Sequence, residues 1–455
     1  MAATKKSNED RIGAGKFWAW QSRGASAAVN FIVLSFMMFF ATDTLGMPAA
    51  LAGTLLMVSG LVDAFSDPMM GLWVDRTKTR FGKGRPYEFA ILGLWVSTWL
   101  LFSAPVDASL VVQSVWVLVT LIIARAVCTA LLSACQNVYM VRAFPTDGQR
   151  NKLASFGGIV IMLASVSVSI MFPILLSNID TMPGGWSGLV AIFAIPFGLI
   201  GILRFVFVKE IIELPEDRDG KQKASLKDIS LLLKTNPYVY MVSFMWLILS
   251  LFTAVGIAPF FFEWVVGDIA YQGAASAIAL VALPLLFFFP AMMKRLPKGK
   301  LVAIGCIMFM IHGALILASG GEMSIVLVSF IFAGFGSLPL TYLTDLLLID
   351  CGSYNEYKGN KRMDGTIGTL RGFVGKISQS IGGVILGFGL SLGGYDGTLA
   401  YQTESAIQAI NMMMGLLPMI VFAPVAIVFM WFYKLDKLMP EIHAHNKAKR
   451  EGASQ

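Results

Sequence analysis

Charged residues are scarce in this sequence. Only 14% of its 455 residues are Asp, Glu, Lys or Arg, whereas a typical soluble domain has about 25%. Hydrophobic residues make up 56%, and the mean hydropathy is +0.71. This composition excludes an ordinary soluble domain and predicts a polytopic membrane protein. The first fifteen residues lack the apolar core of a signal peptide, so no cleavage is expected.

Cysteine is also rare, with four residues in the chain. Cys128 and Cys135 are separated by about 10 Å of helix rise, too far for a disulfide. We therefore expect four free thiols, and none of their spacings fits a structural metal site. A nucleophile–base–acid set and a phosphate-binding loop are absent as well. These absences predict that the protein is not an enzyme and carries no cofactor.

Long apolar runs are abundant. A bilayer-spanning helix needs roughly 17–25 residues, and the sequence predicts twelve such spans. They lie at 17–42, 48–74, 87–105, 110–141, 152–177, 187–208, 237–266, 270–293, 300–318, 323–349, 365–390 and 405–433. We predict an N-terminal six-helix bundle over 1–210 and a C-terminal one over 236–440. A cytoplasmic central loop over 211–235, with a short surface helix at 225–234, and a cytoplasmic tail over 441–455 complete the organisation.

Lys and Arg occur on only one set of alternate loops. They crowd 76–85, 142–152, 209–234, 294–300, 358–362 and the segment after 433, whereas the intervening loops contain none. The positive-inside rule predicts that both termini and all basic loops are cytoplasmic. The net charge of +7 follows from this asymmetry and from anionic lipid, so we expect no nucleic-acid partner.

Two carboxylates interrupt the second predicted span. Asp63, Ser66 and Asp67 have the spacing i, i+3, i+4 and therefore share one face of a helix. Ionisable groups inside a membrane usually mark ion or substrate pathways. A salt bridge that only joins two helices is the alternative, but apolar residues would serve packing as well.

This stretch resembles a known family. Asp63, Ala64, Asp67, Pro68 and Gly71, followed by Arg80, Gly82, Lys83, Arg85 and Pro86, match D-A-x-x-D-P-x-x-G and R-x-G-[KR]-x-[RK]-P. This pattern is similar to that of the glycoside–pentoside–hexuronide cation symporters, a melibiose-carrier-like branch of the major facilitator superfamily. A second matching block contains Asp350, Tyr354, Glu356, Tyr357, Lys358 and Arg362, and Lys376 occupies the family's lysine position in span eleven.

The resemblance implies twelve transmembrane helices in two six-helix bundles, an all-α membrane fold. It also implies cation-coupled symport of a sugar, glycoside, uronide or related sugar derivative by a monomer. The cation-coupling residues are then Asp63, Ser66, Asp67, Thr129 and Lys376. The family's sodium site uses Asn where this chain has Ser66, which favours H+ over Na+ as the coupling ion. Na+ bound by Asp63 and Asp67 remains the alternative.

The substrate residues depart from the family pattern, because its sugar-binding acids and arginine align with small or neutral residues here. Arg125 lies in the middle of a predicted span, where a guanidinium needs a partner such as a hydroxyl or a carboxylate. Arg23 either binds substrate or extends to the cytoplasmic interface. The predicted substrate residues are Arg23, Asn30, Arg125, Gln136, Asn137 and Gln379. The lost sugar contacts leave a second reading open, a carrier for an anionic or amphiphilic solute.

The charged cytoplasmic residues are best interpreted as a latch between helices that holds one conformation of the protein. This predicted cytoplasmic gate consists of Asp75, Arg76, Arg80, Arg85, Asp350, Glu356 and Arg362. Asp345 at the end of span ten is a candidate partner for Arg371 at the start of span eleven.

Overall fold

The structure, a computed structural model, describes residues 11–77, 79–211, 231–232, 234–360 and 362–452. Most of the predicted central loop and most of the surface helix at 225–234 lie outside these residues, as do the last three residues of the tail. The described residues are almost entirely helical and contain no β-strand beyond the isolated Thr79–Gly82 bridge. The all-α fold class is confirmed.

Seventeen α-helices follow one another along the described chain. They are α1 Ala14–Leu34, α2 Met37–Phe39, α3 Ala49–Arg76, α4 Ala90–Leu101, α5 Leu110–Ile122, α6 Ala130–Ala143, α7 Asp147–Leu176, α8 Gly185–Phe207, α9 Pro237–Val255, α10 Ala258–Phe261, α11 Tyr271–Ala279, α12 Leu285–Arg295, α13 Lys298–Ser319, α14 Met323–Tyr357, α15 Asp364–Leu392, α16 Glu404–Ile427 and α17 Leu435–Gly452. Short π-helical turns, among them Ile123–Thr129 between α5 and α6, join several of them into longer rods.

Ten helical rods within the described residues are long and apolar enough to cross a membrane. Two predicted spans differ from this pattern. The span at 87–105 is a 3-10 helix, Arg85–Phe89, followed by the twelve-residue α4. The span at 270–293 is broken into α11 and α12, because Pro284 between them lacks the N–H that a continuous helix requires. Both predicted spans are therefore helical, but each consists of more than one helical piece.

The chain divides into two compact units. The first contains Met1–Asp217, Asp268–Gly273 and Gly383–Thr403, and the second contains Arg218–Gly267, Ala274–Gly382 and Glu404–Gln455. Each unit has its own apolar core. In the first, Trp186 stacks on Phe102 with ring centroids 5.3 Å apart. In the second, Phe309 stacks on Phe422 with centroids 4.4 Å apart.

Within the first unit, α3 contacts the end of α15 through glycines. A Cβ atom added to Gly387 would lie 2.5 Å from the carbonyl oxygen of Ala49 and 2.9 Å from the Cα of Gly53. Any side chain at this crossing would therefore force the two backbones apart, which is the usual reason for small residues where membrane helices pack closely. The acidic stretch of α3 lies further along the same helix.

In the second unit, α17 packs back on the ends of α13 and α14. Ile442 is fully buried, and Asn446 Nδ2 donates to the carbonyl oxygen of Ser353 over 2.9 Å. The carboxylate of Asp436 accepts the backbone N–H of Gly299 at 2.7 Å. Burial raises the pKa of this carboxyl above its usual value. The helix continues past residue 441, the predicted start of the tail, so part of that tail is packed structure.

Candidate functional site

The predicted coupling acids lie on α3, in the middle of a 28-residue helix. Asp63 is 5% exposed, Ser66 is buried and Asp67 is half-buried. Phe65 and Met69 on the other side of the helix are 70% and 66% exposed. This separation of faces is expected when the apolar side contacts lipid and the polar side faces protein or a polar path. The three-residue spacing therefore places Asp63 and Ser66 on the side of the helix that faces protein.

Two local features perturb α3 at this point. The Ser66 hydroxyl donates to the carbonyl oxygen of Asp63 at 2.9 Å. Pro68 lies inside the helix and has no N–H, so the carbonyl of Ala64 loses its usual helical donor. Polar backbone oxygen is therefore available beside the two carboxylates.

Arg125 lies next to this acidic face. It is half-buried in the π-helical turn Ile123–Thr129, which packs against α3 within the first unit. Its positive charge interacts with the carboxylate of Asp63. Thr129 Oγ1 donates to the carbonyl oxygen of Ala124 at 3.0 Å, which keeps this hydroxyl on its own helix. The structure thus joins Arg125, predicted as a substrate residue, to Asp63, predicted as a coupling acid.

Arg23 and Gln136 belong to a second cluster in the same unit, which we call the arginine–glutamate cluster. Its members are Arg23, Glu88, Gln136 and Arg204. The carboxylate of Glu88 is fully buried and lies 3.5 Å from Arg23 Nε and 3.3 Å from Arg204 Nη1. Gln136 Oε1 accepts hydrogen bonds from both arginines. Arg23 is 8% exposed, so its side chain packs inside the unit and does not extend to the interface.

Backbone groups complete the arginine–glutamate cluster. Arg23 Nη1 donates to the carbonyl oxygen of Leu132 at 2.6 Å, and Arg204 Nε donates to that of Trp20 at 2.9 Å. The Arg204 guanidinium also lies 3.5 Å from the centroid of the Trp20 ring, a cation–π contact. Sequence analysis missed Glu88 and Arg204. The signal was present, because each is a lone charge inside a predicted span, as Arg125 is.

The other predicted substrate and coupling residues lie on several different helices. Asn30 is 1% exposed and its Nδ2 donates to Thr98 Oγ1 at 2.9 Å. Asn137 is exposed on α6. Lys376 and Gln379 are half-buried on α15, in the part of that helix assigned to the second unit. The role of Lys376 as a cation-coupling residue stays a prediction.

The basic loop after α3 surrounds the carboxylate of Glu210, a residue that was not predicted from the sequence. Glu210 accepts the backbone N–H groups of Lys83, Gly84 and Arg85 at 3.0, 2.8 and 2.8 Å. Gly82 has φ +111°, and a Cβ there would lie 2.4 Å from Glu210 Cδ. Three consecutive donors around one anion form a backbone nest, so the glycines of this loop serve a turn around Glu210.

The predicted gate residues make local contacts within their own units. Asp75 Oδ1 lies 3.8 Å from Lys83 Nζ, and Arg85 Nε donates to the carbonyl oxygen of Phe205 at 2.8 Å. Arg76 and Arg80 are exposed.

In the second unit, Asp350 pairs with Lys298, and Glu356 Oε2 lies 3.9 Å from Arg362 Nη1. The expected pairing of Arg371 with Asp345 is confirmed. The role of all these residues as a gate stays a prediction.

The ten apolar helices found among the described residues define a polytopic integral membrane protein. A family model described as "MFS/sugar transport protein" matches residues 24–437. The chain therefore belongs to this family of the major facilitator superfamily, and it is a transporter and not an enzyme.

Relatives cover almost the whole chain. The "Isoprimeverose transporter" of Lactiplantibacillus pentosus is 28% identical over 92% of this chain and 88% of its own length. The "Inner membrane symporter YicJ" of Escherichia coli (strain K12) is 27% identical over 96% and 94%. Among solved structures, a bacterial homologue of the human lysosomal transporter Spinster has a TM-score of 0.66 at 12% identity, over 93% of this chain and 97% of that one. This last likeness concerns the fold.

Proposed function

We propose that this protein is a secondary active symporter. It carries a sugar, glycoside, uronide or related sugar derivative into the cell together with a cation, by alternating access in the bacterial inner membrane. H+ is the favoured coupling ion, with Na+ as the alternative. The carrier works as a monomer with both termini in the cytoplasm, in line with the one-sided distribution of Lys and Arg.

The observation that carries this proposal is the carboxylate pair of α3. Asp63 is buried and Asp67 half-buried within a helix of membrane-spanning length. Such groups are costly in a bilayer unless they exchange ions or pair with a counter-charge. The relatives named as an isoprimeverose transporter and as a symporter support a glycoside cargo and a coupling ion for this chain.

Coupling follows from linkage. If cation binding to the acids favours the conformation that binds substrate, then substrate must favour cation binding by the same factor. Accumulation against a gradient requires this coupling, whereas exchange of substrate across the membrane does not. The two activities can therefore be separated in one preparation of vesicles.

A panel of labelled substrates tests the proposal. Membrane vesicles containing the protein are given an inward H+ gradient, an inward Na+ gradient or neither, and are offered neutral disaccharides, pentosides and hexuronides. We expect concentrative uptake of at least one sugar derivative, driven by one of the two cations. Uptake that is absent for the whole panel, or that is indifferent to both gradients, contradicts the proposal.

The position of Arg125 favours a second candidate, a carrier for an anionic solute. A guanidinium in the membrane interior attracts a carboxylate more strongly than a hydroxyl. Under this candidate, Arg125→Ala weakens the affinity for a hexuronide far more than for the matched neutral hexoside. Equal loss for both solutes would favour the neutral-sugar reading, and no loss for either would remove Arg125 from the ligand site.

A further inference from the structure

An ion pair of the second unit lies at the level of the middle of a membrane-spanning helix. Trp246 is in the middle of α9, whose 19 residues are long enough to cross a bilayer. The Cζ atom of Arg371 on α15 lies 4.0 Å from the centroid of the Trp246 ring, a cation–π contact. Arg371 Nη1 donates to the carboxylate of Asp345 on α14. We call these three side chains the tryptophan–arginine–aspartate group.

The charged members of this group are accessible. The side chain of Asp345 is 73% exposed, and that of Arg371 is 26% exposed. Thr341 and Tyr342, one turn earlier on α14, are exposed as well. Ionisable groups inside a membrane almost always face a bundle interior or a water-filled cavity rather than lipid. The group therefore borders a space that holds water or a polar ligand.

Hydrogen-bond donors of this group are left over. Within the described residues, the protein supplies one acceptor for the Arg371 guanidinium, an oxygen of Asp345, and none for Trp246 Nε1. A guanidinium carries five N–H donors. Gly375, one turn after Arg371, lies beside the indole, because a Cβ atom there would be 3.0 Å from Trp246 Nε1. Donors of both side chains are therefore available to a ligand.

The chemistry of the group suits the hydroxyl groups of a sugar. A hydroxyl both donates and accepts a hydrogen bond, and here an accepting carboxylate and a donating guanidinium lie side by side. The flat contact with Trp246 holds the guanidinium in one orientation. An exposed ion pair adds little to stability, so packing alone gives no reason for these charges.

The pairing also limits the charge of the ligand. Arg371 and Asp345 carry single charges of opposite sign and contact each other. A carboxylate on a ligand would be attracted by Arg371 but repelled by Asp345, and like charges that are brought together oppose binding. The hydroxyl groups of a neutral sugar meet no such repulsion.

We propose that the tryptophan–arginine–aspartate group is a sugar-binding subsite that takes the neutral, polyhydroxylated part of a glycoside. Asp345 is then the residue that rejects a uronide. This inference rests on the proposed function in assuming that the cargo is a sugar derivative, and it narrows that class to neutral sugars. It is opposed to the anionic solute that the position of Arg125 favours.

Equilibrium binding to the purified full-length protein, without an ion gradient, tests this subsite. The probes are 4-nitrophenyl β-glucoside, 4-nitrophenyl β-xyloside and 4-nitrophenyl β-glucuronide, and the first and last differ only in a CH2OH group against a carboxylate. In the wild type, we expect a neutral probe to bind at least about tenfold more tightly than the glucuronide. Asp345→Asn should shift the ratio of the glucuronide and glucoside affinities at least about tenfold toward the glucuronide, because Arg371 is then available to a carboxylate.

Three further variants make the result specific. Arg371→Gln removes the guanidinium and should weaken binding of the neutral probe about tenfold. Trp246→Phe keeps an aromatic ring without the Nε1 donor and should weaken it less. Glu404→Gln changes an exposed acid of the same unit, at the start of α16, and should bind all probes as the wild type does. Thermal unfolding of each purified variant shows that it is folded.

The proposal is overturned if the wild type binds the glucuronide more tightly than both neutral probes, or binds no neutral probe. An unchanged affinity ratio in folded Asp345→Asn overturns it as well. Cation-driven uptake of a neutral glycoside with unchanged KM in Arg371→Gln and Trp246→Phe would keep the proposed function and remove this subsite. If the whole uptake panel fails while Asp345→Asn shows the expected shift, symport is wrong and the subsite stands.

Discussion

Two charge clusters in the first unit have opposite compositions. The α3 site contains two carboxylates, Asp63 and Asp67, and the neighbouring π-helical turn carries one guanidinium, that of Arg125. In the arginine–glutamate cluster, the two guanidiniums of Arg23 and Arg204 share the single carboxylate of Glu88. Acids therefore outnumber arginines in the α3 site, as expected where a cation is bound. In the arginine–glutamate cluster, arginines outnumber acids.

Hydrogen bonds to the backbone of other helices are a second feature of the arginine–glutamate cluster. Arg23 and Arg204 each also donate to a backbone carbonyl of another helix, those of Leu132 and Trp20. Together with the two hydrogen bonds to Gln136, these contacts join α1, α6 and α8. We therefore interpret the arginine–glutamate cluster as a clamp on the helices of the unit, and the α3 site as the part that exchanges ions.

The largest expected effect is loss of accumulation when either acid of α3 is neutralised. Asp67→Asn and Asp63→Asn each remove one of the two carboxylates that we propose attract the coupling cation. Concentrative uptake should be abolished while counterflow partly survives. Both are measured in the same vesicles, with the exposed loop variant Asp107→Asn as control. Wild-type accumulation in both acid variants would remove their coupling role.

Neutralising Glu88 should mainly affect stability. Glu88→Gln leaves two buried guanidiniums without their carboxylate, and breaking a buried ion pair costs about 3–5 kcal/mol. Thermal unfolding of the purified protein measures the loss, and adding Arg23→Met should recover part of it because one guanidinium then remains. If Glu88→Gln were as stable as the wild type but lost coupling, the clamp would itself be part of the ion site.

Replacing an arginine by lysine keeps the charge and should affect the stability of the two clusters differently. Arg23 uses two nitrogens of its guanidinium, on Leu132 and on Gln136, and an ammonium cannot reproduce this fork. Arg23→Lys should therefore cost about 1.5–3 kcal/mol of stability, with the ratio of cation to substrate unchanged in the folded protein. Arg125 acts through its charge, which lysine retains, so Arg125→Lys should cost less stability. The reverse order of stabilities would contradict the distinction.

The smallest effect is expected for the exposed pair of the second unit. The side chain of Asp345 is 73% exposed although it contacts Arg371. Exposed ion pairs contribute about 0–1 kcal/mol. Asp345→Asn should therefore shift the thermal midpoint little, at low and at high salt alike. A shift as large as that of Glu88→Gln would show that burial does not explain how much each ion pair contributes to stability.

Much of the fold could be predicted because the bilayer imposes a one-dimensional constraint. Spans of sufficient apolar length and basic residues on alternate loops are properties of the chain order alone. The predicted span at 270–293 is helical but is divided near Pro284, a local break that apolar length alone does not indicate. The free state of all four cysteines was also predicted correctly.

The sequence by itself determined which helix carries the acids and which of its faces they share. Asp63 and Ser66 are three residues apart, and a helix of 3.6 residues per turn brings that spacing to one side. Partners at greater separation were decided only by the tertiary structure. Glu88 and Arg204 are 116 residues apart, and Arg204 and Trp20 are 184 apart.

The physical reason is that a lone charge in an apolar run indicates only that the charged group needs a partner. Which partner it meets depends on how the helices pack, and chain order does not specify that packing. Arg125 could have met a substrate or an acid, and the π-helical turn against α3 brings it to Asp63. Likewise, the loop at 82–85 is visibly basic, but only the folded chain shows that its backbone N–H groups enclose Glu210.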